Sequence, residues 1–159
     1  MALNVPMREV MDYNLERFKS AQEYDYGNAL KEIKNGRKTG HWMWYVFPQL
    51  KGLGHSSMAD YYGISGIDEA RAYLADPVLG QRLVEICEAL MVLKNKNADM
   101  IFGFPDVLKL RSCMTLFEAV SVENTVFKRV LETYYHGERD DLTLGIIGRQ
   151  RDEHWKYQA

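Results

Sequence analysis

The chain has 159 residues, the length of one domain, and is long enough to bury a single sizeable core. Hydrophobic residues make up 47% and charged residues 26%, the balance of a folded domain, and a formal net charge of −2 argues against a general nucleic-acid binder, leaving only a local basic patch open. No apolar run approaches the ~20 residues of a membrane span, and the opening MALNVPMREVMDYN holds acids and lacks a secretory apolar core, so a cytoplasmic protein is expected.

Residues 1–11 read as a lead-in, residues 12–148 as one helical domain and residues 149–159 as a polar C-terminal extension. Asp12 or Asn14 is placed to cap a first helix running through Tyr24, with Leu15, Phe18 and Gln22 on one face and Met11 a turn before. Asp25 is placed to cap a second, whose stripe is Tyr26, Ala29, Leu30 and Ile33. Gly36 supplies the left-handed stop. The two short helices are expected to form a hairpin leading into the next segment.

That segment, Gly36 to Ile64, concentrates two Trp, a Phe, three Tyr, two His, three Lys/Arg and five Gly with little helical period. No Asp or Glu occurs from Ile33 to Ala59. WMWYVF fits either a buried strand or a buried helical turn. Pro48 stops either one, Gly52 and Gly54 permit an irregular loop, and Ser56 or Ser57 can cap a short helical piece to about Tyr62.

Ser65 precedes a helix over about 67–74 with acids in its first turn. Asp76-Pro77 opens the clearest core helix, with Leu79, Leu83, Ile86, Leu90 and Leu93 on one face and Cys87 beside it. A short helix from Ala98 ends at Gly103, and Pro105-Asp106 opens another to about Val120. Glu123 or Asn124 starts a helix to Tyr135 that Gly137 ends, and Asp140 or Asp141 caps a last one over Leu142, Leu144 and Ile147. The sum is an all-α domain of seven to nine short helices with an irregular aromatic, Gly-rich loop. Cys87 and Cys113 are too few and too isolated for a disulfide framework, and both are expected as thiols.

HWMWYVFPQLKGLG, together with Arg17-Phe18, Ala21-Gln22, Glu69-Ala70, Pro77 through Leu83 and Lys109 through Phe117, resembles an uncharacterised, mainly bacterial family called domain of unknown function 1810, sometimes labelled calpastatin-like. The resemblance spans about Asp12 to Gly148 and implies a compact, mostly helical fold with no assigned reaction. The calpastatin label would imply a protease inhibitor acting through disordered repeats, and this composition is that of a folded domain. Gly40 and Cys113 stand where the family pattern leads one to expect Ser.

For function, Arg37, Lys38, His41 and His55 surround Trp42 and Trp44 with no acid close in sequence. Such a cationic, ring-lined, Gly-hinged pocket suits an anionic ligand of phosphorylated or nucleotide-like kind. Arg37 and Lys38 would neutralise charge, Trp42 or Trp44 would stack, Gln49 would orient and His41 would move protons. Arg111 is a candidate far wall, with Lys109, Ser112 and Thr115 along the same helix. In the competing reading the tryptophans are core and the cations are solvated around them. His41 and His55 lack a third metal ligand, and no nucleotide fingerprint, Walker loop or nucleophile elbow is present, so neither a metal nor a cofactor is expected. An alternative function is a module that docks a protein partner through the aromatic loop.

Overall fold

The computed structural model describes residues 13–122 and 125–158, with side chains up to 151. Among the described residues the chain forms nine helices: α1 (Glu16–Lys34), α2 (Met43–Val46), α3 (Ser57–Tyr61), α4 (Ile67–Ala75), α5 (Leu79–Met91), α6 (Ala98–Phe102), α7 (Asp106–Ala119), α8 (Val126–Tyr135) and α9 (Asp141–Gln158). The all-α expectation holds. The β pairing among the described residues is one isolated parallel bridge, Leu50 to Ile64.

The expected hairpin over residues 14–35 is instead one continuous helix. Phe18, Gln22, Tyr26, Ala29 and Ile33 stay in phase along a single buried stripe, so nothing breaks the helix at Asp25. Asp25 is used elsewhere, accepting a hydrogen bond from the Tyr45 hydroxyl. The helix stops at Gly36, whose φ of +79° is the left-handed conformation glycine adopts without strain.

The caps follow short polar side chains. Ser56 accepts from Ala59 N–H, Asn97 from Met100 N–H and Thr125 from Lys128 N–H, each satisfying an orphan donor. Asp76 accepts from Val78 and Leu79 N–H, and Asp140 from Thr143 N–H. The candidate starts at Glu123 and Asn124 lie outside the described residues, as do the lead-in and Asp12. Helix α9 runs through residues 149–158 of the polar C-terminal extension, ending at Gln158. Gln150, near the end of the described side chains, accepts from Ile67 N–H at the start of α4.

The centre of the molecule is α7, packed on α8, α4, α6 and α9, while α5 packs on α8, α1 and α4. Val107, Leu110, Cys113, Met114, Leu116 and Phe117 are all buried, so α7 is enclosed around most of its circumference. Rings run through this core in sequence: Phe18 meets Tyr73 at 5.0 Å, Tyr73 meets Phe117 at 5.3 Å and Phe117 meets Phe127 at 5.9 Å. No helix among the described residues is long and apolar enough to cross a membrane.

Buried polar residues lock the helices in register. The Arg17 guanidinium donates to the carbonyls of Tyr13, Asn14, Tyr61 and Gly63 and to Glu69, joining α1 to the segment after α3 and to α4. Gln22 donates to the Tyr45 carbonyl at 2.7 Å and to the Tyr73 hydroxyl at 2.9 Å. Arg17, Gln22 and Glu69, three of the positions that carry the family resemblance, therefore hold architecture.

Candidate functional site

The aromatic segment leans on acids that lie outside it, chiefly Glu32, just before it on α1, and Asp106, far along the chain. Glu32, in the last turns of α1, accepts three hydrogen bonds at Oε1: from Thr39 N–H at 2.7 Å, Gly40 N–H at 2.8 Å and the Trp42 indole N–H at 3.0 Å. Burial pushes the Glu32 carboxyl up, but the Gly40, Thr39 and Trp42 hydrogen bonds outweigh it and leave the group below its ordinary value. A Cβ on Gly40 would lie 2.9 Å from Trp42 Cδ1 and 3.1 Å from Glu32 Oε2. A serine at this position would press on that junction.

The second acid is Asp106, at the start of α7. Its Oδ2 lies 2.6 Å from Lys38 Nζ and its Oδ1 lies 3.8 Å from Lys109 Nζ. The Lys38 ammonium is 5.1 Å from the Trp42 ring centroid, and the Lys109 ammonium is 5.3 Å from that of Trp44. The two tryptophans of HWMW thus each carry an ammonium over a face, and one carboxylate serves both ammoniums. The absence of acids along the segment is therefore a property of the sequence and not of the space around it.

These contacts divide the candidate residues. Trp42 is 1% exposed and packs in the core, so its faces are closed to a ligand. The Lys38 side chain is 7% exposed, with its charge met by Asp106 and the Gly40 carbonyl. Arg37, His41 and His55 are exposed. None of these five lines the crevice that forms beside Trp44.

That crevice is bounded by Met43, Trp44, Phe47, Gln49, Ala59, Tyr62, Gly63 and Lys109, and it has room for about one water-sized group. It lies where α2, the loop after it, the end of α3 and α7 meet. The Trp44 indole N–H is buried with no hydrogen-bond partner among the described residues. No hydrogen bond engages the Gln49 amide or the Tyr62 hydroxyl among those residues, and Lys109 keeps a side-chain exposure of 22%. Burial raises the Tyr62 phenol above its ordinary value, the neighbouring Tyr61 adds to this and Arg17 opposes it, so the group is a neutral donor at physiological pH. Of the sequence candidates, Trp44 and Gln49 share this site. Lys109, grouped in the sequence with Arg111 as a candidate far wall, completes it together with Tyr62, which had no local signal that singled it out.

Arg111 lies elsewhere. It lines a separate cleft with Lys96, Asp99, Leu108, Tyr135 and His136, between α7 and the end of α8. No cluster of three or more His, Cys, Asp or Glu able to hold a metal occurs among the described residues.

Fold and site together define a compact all-α domain built around an ion-paired aromatic segment. The chain belongs to the family described as "Protein of unknown function (DUF1810)", whose profile matches residues 12–147. Among solved structures it is similar to that of the conserved hypothetical protein Rv1873 from Mycobacterium tuberculosis, determined at 1.38 Å. The identity is 43% and the TM-score 0.85, over 87% of this chain and 99% of that one. Curated proteins give no match.

Proposed function

We propose that this protein binds a small anionic molecule, of phosphorylated or nucleotide-like kind, whose oxygen-bearing end enters the crevice beside Trp44. The observation that carries the reading is the unpartnered Trp44 indole N–H, buried in a wall shared with the Gln49 amide and the Lys109 ammonium. A buried donor without an acceptor is costly, and an incoming oxygen supplies one. Lys109 adds charge to the same contact, because its link to Asp106 is long and it can turn toward an anion. Lys38 acts at one remove by fixing Asp106. The body of the ligand lies outside the crevice, over its rim.

Binding is favoured over catalysis. His41, the acid–base candidate, is exposed and not part of the crevice wall, and a general base must reach the proton it takes. Binding is also favoured over docking of a protein through the aromatic loop. Trp42, Tyr45 and Phe47 face inward, and a docking patch needs its rings outside. The reading places the protein in the cytoplasm, away from membranes and without general nucleic-acid affinity.

The test is a thermal-shift screen against nucleotides and sugar phosphates, followed by titration of the hits on variants. Lys109→Ala and Trp44→Phe are each expected to weaken binding roughly tenfold, the loss of one charge-assisted or buried hydrogen bond. Lys94→Ala, on an exposed turn, is expected to leave affinity unchanged. Equal affinity in all three variants would refute the assignment of the site.

A further inference from the structure

The Arg111 cleft has an independent character. It offers about 390 Å³ of space and is open to solvent. Its wall joins apolar side chains of Val107, Leu108, Tyr134 and Tyr135 to the polar Lys96, Asp99, Arg111 and His136.

The Arg111 guanidinium on its wall is unlike the other partly buried arginines. Arg17 makes five hydrogen bonds. Arg139 makes three, to both oxygens of Glu118 and to the Gly137 carbonyl. The Arg111 side chain is 28% exposed and makes none among the described residues, and its Nε is buried with no partner there. The nearest acid is Glu138, whose Oε2 stands 3.9 Å from Nη1, beyond hydrogen-bond length, on a side chain that is 74% exposed. Such a loose pair in solvent holds its partners weakly.

We infer that this cleft is a second ligand site, in which Arg111 takes the single carboxylate or phosphate of a small organic molecule while the apolar body rests on Leu108 and the tyrosines. A planar guanidinium presents paired donors that match such an oxyanion with two parallel hydrogen bonds. Lys96 and His136 stand on the same wall and add positive charge or donors. Tyr135 is already committed, its hydroxyl donating to the Val107 carbonyl at 2.6 Å, so it contributes its ring. Asp99 and Glu138 set a limit on the ligand, because their charges disfavour a second anionic group. The cleft therefore selects a head with a single anionic group over a polyphosphate. Glu138 is the intramolecular substitute that the ligand displaces.

Isothermal titration with phenyl phosphate, benzoate and inorganic phosphate tests the inference on the full chain. Saturable binding of phenyl phosphate or benzoate is expected, and whichever binds tells phosphate from carboxylate. Inorganic phosphate, lacking the apolar body, is expected to bind more weakly than the better aromatic probe. Arg111→Gln is expected to weaken binding roughly tenfold or more, by removing two charge-assisted hydrogen bonds. Glu138→Gln, at an exposed position that does not threaten folding, is expected to tighten binding severalfold. Lys31→Ala, at an exposed position on α1 away from both sites, is expected to change nothing. The inference is overturned by no saturation with either aromatic probe, by unchanged affinity in Arg111→Gln, or by weaker binding in Glu138→Gln.

Discussion

Glu32 shows how one side chain organises the aromatic segment. Its carboxylate replaces the partners that the Thr39 and Gly40 amides and the Trp42 indole would otherwise lack. Glu32→Ala strands three donors and is expected to lower stability by about 2 kcal/mol or more in urea unfolding. The pH dependence follows from the direction of its shift. A carboxyl held below its ordinary value in the folded state stabilises the fold at pH above the unfolded value, about 4.3 for Glu. That contribution disappears as pH falls through the depressed native value. The wild type is therefore expected to lose stability steadily below about pH 4, with Trp42 emission reporting the change, and Glu32→Gln to show a shallower decline over the same range. At this scale the sequence hid the most. Nothing near Trp42 in the chain reveals that Glu32 and Asp106 neutralise the segment, because the pairing depends on where α1 and α7 come to lie. Trp44 and Gln49 could be singled out from composition, and their separation from His41 and Arg37 could not.

Among the elements, the join between α4 and α5 is the tightest at a glycine. A Cβ on Gly80 would stand 2.1 Å from the Leu74 carbonyl oxygen, a contact with backbone that cannot swing away. Helix propensity alone would make Gly80→Ala stabilising by ~0.5–1 kcal/mol. The clash is expected to reverse that sign, giving a destabilisation of about 1–3 kcal/mol in the urea midpoint at unchanged slope. Helices such as α5 were legible because Asp76-Pro77 and the Leu79, Leu83, Ile86, Leu90 spacing are local signals. The continuity of α1 was not legible, since Asp25 has the chemistry of a cap and only its tertiary partner, Tyr45, shows that it is used otherwise. The short α2 was ambiguous for a similar reason: WMWYVF is apolar throughout, and the surrounding helices decide its conformation.

For the whole molecule, the two thiols report on opening of the core. Cys87 on α5 and Cys113 on α7 are completely buried and unpaired, and Cys87 Sγ lies 3.6 Å from Met114 Sδ. Burial raises both thiols well above their ordinary value, so little reactive thiolate forms in the folded state. Both are expected to resist a thiol reagent under native conditions and to react together as urea rises. Their common rate should track global unfolding because α5 and α7 both pack on α8. Fast modification of one cysteine alone in the absence of denaturant would show that the two helices separate in smaller units.

The bridge between Leu50 and Ile64 has an evolutionary consequence. The backbone leaves the body of the protein at Lys51, whose N–H donates to the Ile64 carbonyl, and the Ile64 N–H donates back to Gln49, so exit and re-entry are fastened side by side. Arg17 grips the returning limb at the Tyr61 and Gly63 carbonyls. The turn directly after the exit, around the exposed Gly52 with its φ of +97°, bears no such load. Descendants of this sequence are free to lengthen that outer turn and decorate it with new residues next to the Trp44 crevice, acquiring a different selectivity while the interior stays as it is.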